Sequence, residues 1–216
     1  MSKEIGGGRR KGGREELLSR AVLGPDPIPV FSRWFEEARA SSVMEYPNAA
    51  CLSTVDDGGW PQGRIVLLKG FDERGFIFFT NYRSAKGKAL ERHPRAALTF
   101  YWHDLDRQVR IRGEVERIPA EESDAYFRTR PRGSQVGAWA SSQSEPSGTR
   151  ERLVDRAREV EERFGEEEIP RPPHWGGFVI RPVEVEFWQG APSRLHDRIV
   201  YRSDRDGTWE TQRLDP

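Results

Sequence analysis

Sulfur is scarce in this chain of 216 residues, which has one cysteine and two methionines. A single cysteine excludes an intramolecular disulfide and any zinc site built from several thiolates. Cys51 lies in the apolar run AACLSTV, which predicts a buried structural thiol rather than a nucleophile. Net charge is missing too. Lysine plus arginine and aspartate plus glutamate balance at 35 each, so no global field draws the chain to nucleic acid or to a membrane surface. No apolar run approaches the ~20 residues needed to span a bilayer. The N-terminus is basic but lacks the apolar stretch of a secretory signal. A cytoplasmic protein without nucleic-acid or membrane partners is the expectation. The four histidines are scattered, so no metal site is expected. No Walker loop, GxGxxG turn or Ser–His–Asp triad is present.

What is there is aromatic and strongly patterned. Aromatics make up 11% of the chain, with seven tryptophans, as in a packed globular protein. Residues 1–25 read as a flexible, basic, Gly-rich tail, and 26–216 as a single domain. Asp26 as N-cap and Pro27 at the first helical position open an amphipathic helix carrying Ile28, Phe31, Phe35 and Ala38. From Asn48 the period changes to two. NAACLSTV and QGRIVLLKGF flank DDGGW as a hairpin, GFIFFTN follows as a strand, and SAKGKALERH as a short helix. RAALTFYWH and RQVRIRGEVERI form a second hairpin, with Val109, Ile111 and Val115 on one face and Gln108, Arg110 and Arg112 on the other. PAEESDAYFRTRP is a helix stopped by Pro131, and Thr149 to Phe164 a charged surface helix. Three strands close the chain. Some seven short strands with peripheral helices predict a mainly β (α+β) architecture, an antiparallel and at least partly closed barrel.

Four segments carry candidate chemistry. In RIVLLK, Arg64 and Lys69 point to opposite faces because their separation is odd; read alone, they are strand-end charges reaching for water. In FFTNYRSAKGKAL, Lys86 sits in the first turn of a helix, where the dipole disfavours it unless a phosphate binds; an ordinary strand–helix connection is equally consistent. In YFRTRPRGSQVGAWASSQS, Tyr126 and Arg130 share a helix face, and Ser134 follows a Pro–Gly bend. Together they make a candidate phosphate clamp, with Gln143 and Ser144 in a polar stretch suited to a ligand, or else a solvated loop. In EFWQGAPSRLHDR, Arg194, His196 and Arg198 stand at alternate positions behind Trp188 and repel one another unless something anionic or electron-rich lies opposite.

Taken in this order, the segments RIVLLK, FFTNYRSAKG, RQVRIRGEVER, YFRTRPRGSQVGAWASSQS, WGGF and EFWQG…RLHDR…RLDP resemble the pyridoxine (pyridoxamine) 5′-phosphate oxidase family from about Asp26 to Pro216. The resemblance implies an FMN-binding split β-barrel, active as a homodimer with its sites at the subunit interface. It implies oxidation of pyridoxine or pyridoxamine 5′-phosphate to pyridoxal 5′-phosphate, with O2 reoxidising the flavin and forming H2O2. It assigns FMN contacts to Arg64, Ile65, Val66, Leu67, Lys69, Phe79, Thr80, Lys86 and Gln108, with Gln143, Ser144, Trp188 and Arg198 coming from the other subunit. Substrate contacts fall to Lys69, Tyr126, Arg130 and Ser134, and Arg194 and His196 flank the reacting ring as catalytic residues. Two positions depart from the family pattern: Ala85 replaces a basic phosphate contact, and the N-terminal arm lacks a recognisable Arg…Tyr pair. A related flavin oxidase of the phenazine-biosynthesis type and a non-enzymatic flavin-binding module stand as alternatives. The RLHDR stretch, if a regular strand, puts its three cations on one face, and a stacked cofactor and substrate along that face is the favoured expectation over a bend near APS.

Overall fold

Asp26 accepts a hydrogen bond from the Ile28 backbone N–H and starts helix α1, Pro27–Ala40. The structure is a computed structural model that describes residues 18, 23–41, 43–204 and 207–216. After α1 come β1 (Ala49–Val55), β2 (Pro61–Leu67), β3 (Gly70–Asp72), β4 (Gly75–Asn81) and α2 (Ala85–Arg92). Then follow β5 (Arg95–Trp102), β6 (Arg107–Arg117), α3 (Ala120–Arg128), α4 (Arg132–Ala140) and α5 (Arg150–Phe164). The chain ends with β7 (Trp175–Gln189), a 3-10 turn (Pro192–Arg194), β8 (Asp197–Ser203) and β9 (Trp209–Arg213).

The nine strands form one antiparallel sheet in the order β2-β1-β5-β6-β7-β4-β3, with β8 and β9 branching from β7. The Lys69 N–H donates to the Ile77 carbonyl at 2.9 Å, which draws the end of β2 back toward β4 and curls the sheet into a barrel. The expected mainly β, split-barrel architecture with outer helices is what forms. The strand read as QGRIVLLKGF is in fact two, β2 and β3, because the chain turns at Leu68–Lys69 to reach both Asn48 and Ile77.

Alternation builds the interior. On β6, Val109 and Ile111 are fully buried while Arg110 and Arg112 face outward. Helix α1 plugs the barrel with Phe31, whose ring meets Phe71, Phe76 and Phe100 edge-on at 4.8–5.2 Å. Burying one such side chain contributes about 1.5–3 kcal/mol. Leu18 and Leu23 belong to the same core. The domain boundary at Asp26 is therefore set too late, since a long-range contact with β8, invisible to local composition, recruits Leu18. Residues 1–17 and 19–22 of the predicted tail lie outside the described residues.

Strand β7 serves two neighbours. Its first half pairs with β4 and its second half with β8, while β6 runs along its other edge throughout. Between them the register slips: Arg112 faces Glu184 and Gly113 faces Pro182, so Val183 is an extra residue in a bulge. Residues 131–144, read as a bend followed by a polar stretch, contain helix α4 instead. Its Gln135, Val136, Ala138 and Ala140 are buried, and Val136 and Ala138 join Phe127, Ile169 and Trp175 in a second core. Tertiary packing thus overrides the two glycines of that segment.

Candidate active site

Two adjacent glycines bring the wall of the site together. A Cβ at Gly176 would overlap the Tyr82 hydroxyl, and one at Gly177 would overlap Ile118 and Phe79. Only glycine lets the start of β7 approach β4 this closely. Beside that contact, Phe79 stacks on Tyr126 (centroids 3.9 Å apart) and on Trp175 (5.4 Å), a continuous aromatic wall.

The wall bounds a cavity of about 820 Å³, within the range of small-molecule and cofactor sites. Its lining includes Ile65, Val66, Leu67, Lys69, Phe79, Thr80, Lys86, Tyr126, Arg130, Ser134 and Gln143, all expected from the sequence. Asn81, Thr129, Pro131, Gly137, Ala138, Ser141 and Trp175 also line it and were missed. Of these, Trp175 carried a readable signal, since a tryptophan followed by a glycine pair marks a close approach. Asn81 comes from the end of β4, and the others contribute through α4 and its flanking turns.

Among the described residues, three cations, Lys69, Lys86 and Arg130, line the cavity, and no carboxylate does. Arg130 lies just beyond α3, its N–H donating to the Phe127 carbonyl, so the Tyr126–Arg130 pairing spans a helix end rather than a helix face. Its guanidinium sits 4.5 Å from the Trp175 ring centroid. Its NH1 is buried without a hydrogen-bond partner, and burial lowers the pKa of the group. Such a donor is costly unless an anion completes it.

A second anion subsite lies at the start of α2. Ser84 caps the helix by accepting from Gly87 N–H. Lys86 Nζ is 3.4 Å from Ser84 Oγ and donates to Gln143 Oε1 at 3.2 Å. Burial first, and the charge of Arg64 second, hold the Lys86 pKa below the ordinary lysine value. Arg64 donates to Thr54 Oγ1 at 2.7 Å and to the Leu52 carbonyl, and burial lowers its pKa as well. Two like charges and free helix N–H groups at one point fit a phosphate. Arg64 on β2 turns to Leu52 and Thr54, whereas Lys69 lies in the turn between β2 and β3 and lines the cavity, so strand parity does not set its direction. Gln143 reaches Thr80 and Lys86 of its own chain, which corrects its assignment to the other subunit. Ser144 follows at positive φ and is exposed.

The remaining expected residues lie elsewhere. Tyr101, Gln108, Trp188 and Arg198 form one row across β5, β6, β7 and β8 on the outer face of the sheet. Arg198 Nε donates to the buried carboxylate of Glu186 at 2.8 Å, which raises the arginine's pKa, and its NH1 donates to the Asp215 carbonyl. His196 packs on Trp188 with centroids 4.7 Å apart. Its Nδ1 accepts from Ala191 N–H at 3.1 Å, which leaves Nε2 to carry the proton of the neutral ring. Ser193 and Arg194 both have positive φ (58° and 62°), so the chain bends between β7 and β8. The RLHDR stretch is not a regular strand, and the expectation of one face with stacked ligands gives way to this bend. Arg194 is exposed, and only His196 and Arg198 face the row of Trp188.

The fold and cavity define a split-barrel protein equipped for phosphorylated, aromatic ligands. Comparison with known proteins narrows this: residues 36–164 match the model of the pyridoxamine 5′-phosphate oxidase family, and residues 175–216 match the pyridoxine 5′-phosphate oxidase C-terminal dimerisation region. The chain belongs to the pyridoxamine 5′-phosphate oxidase family. It is 52% identical over 214 residues to a pyridoxine/pyridoxamine 5′-phosphate oxidase of Rubrobacter xylanophilus, covering 99% of this chain and 97% of the relative. It is 58% identical over 190 residues to the oxidase of the same name from Bordetella avium, covering 88% and 89%. Among solved structures it is similar to PhzG from Burkholderia lata in complex with tetrahydrophenazine-1-carboxylic acid. There the TM-score is 0.86 at 30% identity, over 94% of this chain and 100% of the other.

Proposed function

We propose that this protein is an FMN-dependent oxidase that converts pyridoxine 5′-phosphate and pyridoxamine 5′-phosphate to pyridoxal 5′-phosphate in the cytoplasm, with O2 leaving as H2O2. The reading is carried by one observation: the buried, unpartnered NH1 of Arg130 in an acid-free cavity with Lys69, Tyr126 and Ser134. Lys69 and Arg130 balance the substrate's dianionic phosphate, while the Tyr126 and Ser134 hydroxyls donate to its remaining oxygens. Lys86, Arg64 and the first turn of α2 hold the FMN phosphate. Ile65, Val66, Leu67, Lys69, Phe79, Thr80 and Gln143 lie along the rest of the cofactor. Bound FMN supplies the hydride acceptor, and the chain supplies position and charge.

The location of Gln108, Trp188, Arg194, His196 and Arg198 supports a homodimer with sites shared between copies. They lie outside the cavity, and four of them fall in the segment that matches a dimerisation region. In this reading they complete the cavity of the partner subunit, with Arg198 and Trp188 against the cofactor and Arg194 and His196 beside the reacting ring. His196 offers an Nε2–H to the substrate, held in that tautomer by Ala191. The test is peroxide release from purified, FMN-saturated protein given pyridoxine 5′-phosphate. Absence of peroxide overturns the reading.

The likeness to PhzG favours a second reading, an oxidase acting on another aromatic substrate. Such a substrate needs no phosphate, and Arg130 would meet at most a carboxylate. Turnover of a phosphate-free aromatic acid, alongside no turnover of pyridoxine 5′-phosphate, would establish it.

A further inference from the structure

Asp197 lies between His196 and Arg198 in sequence but faces the other way, with a carboxylate that is only 6% exposed. Its Oδ2 accepts from the Leu18 backbone N–H at 3.0 Å, across 179 positions of sequence. Its Oδ1 pairs with Arg213 on β9, and the other terminal nitrogen of Arg213 donates to the Leu18 carbonyl. The three groups close a ring through the backbone N–H and C=O of one residue. Leu18 itself is buried in the barrel core, and further along Tyr201 Oη donates to the Gly24 carbonyl at 2.8 Å. The strand that presents His196 and Arg198 on its outer face is thus strapped from behind by the N-terminal segment.

We infer that Asp197 and Arg213 are positioning residues for the oxidation: by clamping the Leu18 peptide they hold the start of β8, and with it the bend that carries Arg194 and His196. A bend with two consecutive non-glycine residues at positive φ is strained and persists only where its ends are held. The upstream end is held at Gly190, whose N–H donates to the Asp106 carbonyl at 2.8 Å. The downstream end is held by Asp197. A buried carboxylate with a charged partner and a backbone donor is a stiff anchor, because hydrogen bonds to a charged group are shorter and stronger than neutral ones.

This inference rests on the proposed function for its kinetic readout, and amide exchange tests it independently. The variants are Asp197→Ala, Leu18→Pro, which deletes the N–H donor, and the two combined, all in the full-length chain. At saturating FMN, each single change raises KM for pyridoxine 5′-phosphate about tenfold and leaves kcat within about twofold, the loss of one charge-assisted contact. The double variant is no worse than the worse single one, because both act through one clamp. Additive losses or an unchanged KM overturn the inference. Where Asp197→Ala does not fold, Leu18→Pro alone decides. If the wild type does not oxidise pyridoxine 5′-phosphate, the functional reading falls, and the strap is judged by hydrogen exchange over residues 191–198. Faster exchange in Leu18→Pro supports it, and unchanged exchange overturns it.

Discussion

Lys69, Lys86 and Arg130 line the cavity with no carboxylate in salt-bridge range among the described residues, whereas the outer face of β6, β7 and β8 pairs its arginines. There Glu186 takes Arg110 at 3.1 Å and Arg198 at 2.8 Å, and Glu184 takes Arg112 at 2.9 Å and Arg202 at 3.0 Å. A paired guanidinium is held in one orientation and has part of its charge cancelled. An unpaired one is poorly placed without a ligand and becomes favourable only when an anion arrives. The cavity therefore stores affinity for anions, and the outer face stores geometry.

The sharpest break of this contrast is Arg130→Ala, which removes the cation with the unsatisfied buried nitrogen. It should lower kcat/KM for pyridoxine 5′-phosphate about 100-fold, as expected for charge-assisted contacts to a dianion. It should leave thermal stability nearly unchanged, because removing the unsatisfied buried donor offsets the lost contact with Trp175. Glu186→Gln should do the reverse, costing about 2 kcal/mol in denaturant unfolding by stranding two arginines around a buried site. Equal stability of that variant would show that the outer pairs hold nothing.

Lys86→Met should weaken FMN binding about tenfold in a flavin fluorescence titration. Lys86 also sets a pH dependence. Its pKa is held below the ordinary lysine value by burial and by Arg64. The charged group is therefore a cost to the folded, ligand-free protein below that depressed value, and the cost is relieved as pH rises through it. Anion affinity moves the opposite way: it is full below the depressed pKa and falls as pH rises through it, and Lys86→Met should flatten that fall. The smallest effect belongs to Glu184→Gln. Its arginine partners are 57% and 45% exposed, so the loss should be about 0.5 kcal/mol.

The legible parts of the molecule were those written in short-range pattern. Asp26–Pro27 marks the start of α1, and the alternation through Val109 and Ile111 marks an interior face. What escaped is long-range or opposed to local propensity. Helix α4 forms through Gly133 and Gly137 because Val136 and Ala138 pack against Phe127 and Trp175. Leu18 is recruited by Asp197 from a segment whose composition reads as unstructured. The cavity residues Gly137 and Ser141 came with helix α4. The bend at Ser193–Arg194 escaped because neither residue type announces a positive φ.

Val183 has one more consequence, which is arithmetical. Before it, the even-numbered residues Phe178 and Ile180 enter the core; after it, the odd-numbered Val185 and Phe187 do. The bulge is a phase switch in a two-beat count. If Val183 were instead paired as an ordinary strand residue, the strand would keep counting evenly and drive Glu186 and Trp188 into the barrel, while Phe187 turned outward beside Arg198. The first half of β7, with Trp175 and the glycine pair at the cavity, would be untouched. By leaving one valine uncounted, the bulge lets a single strand show a ligand wall at one end and a charged, aromatic face at the other.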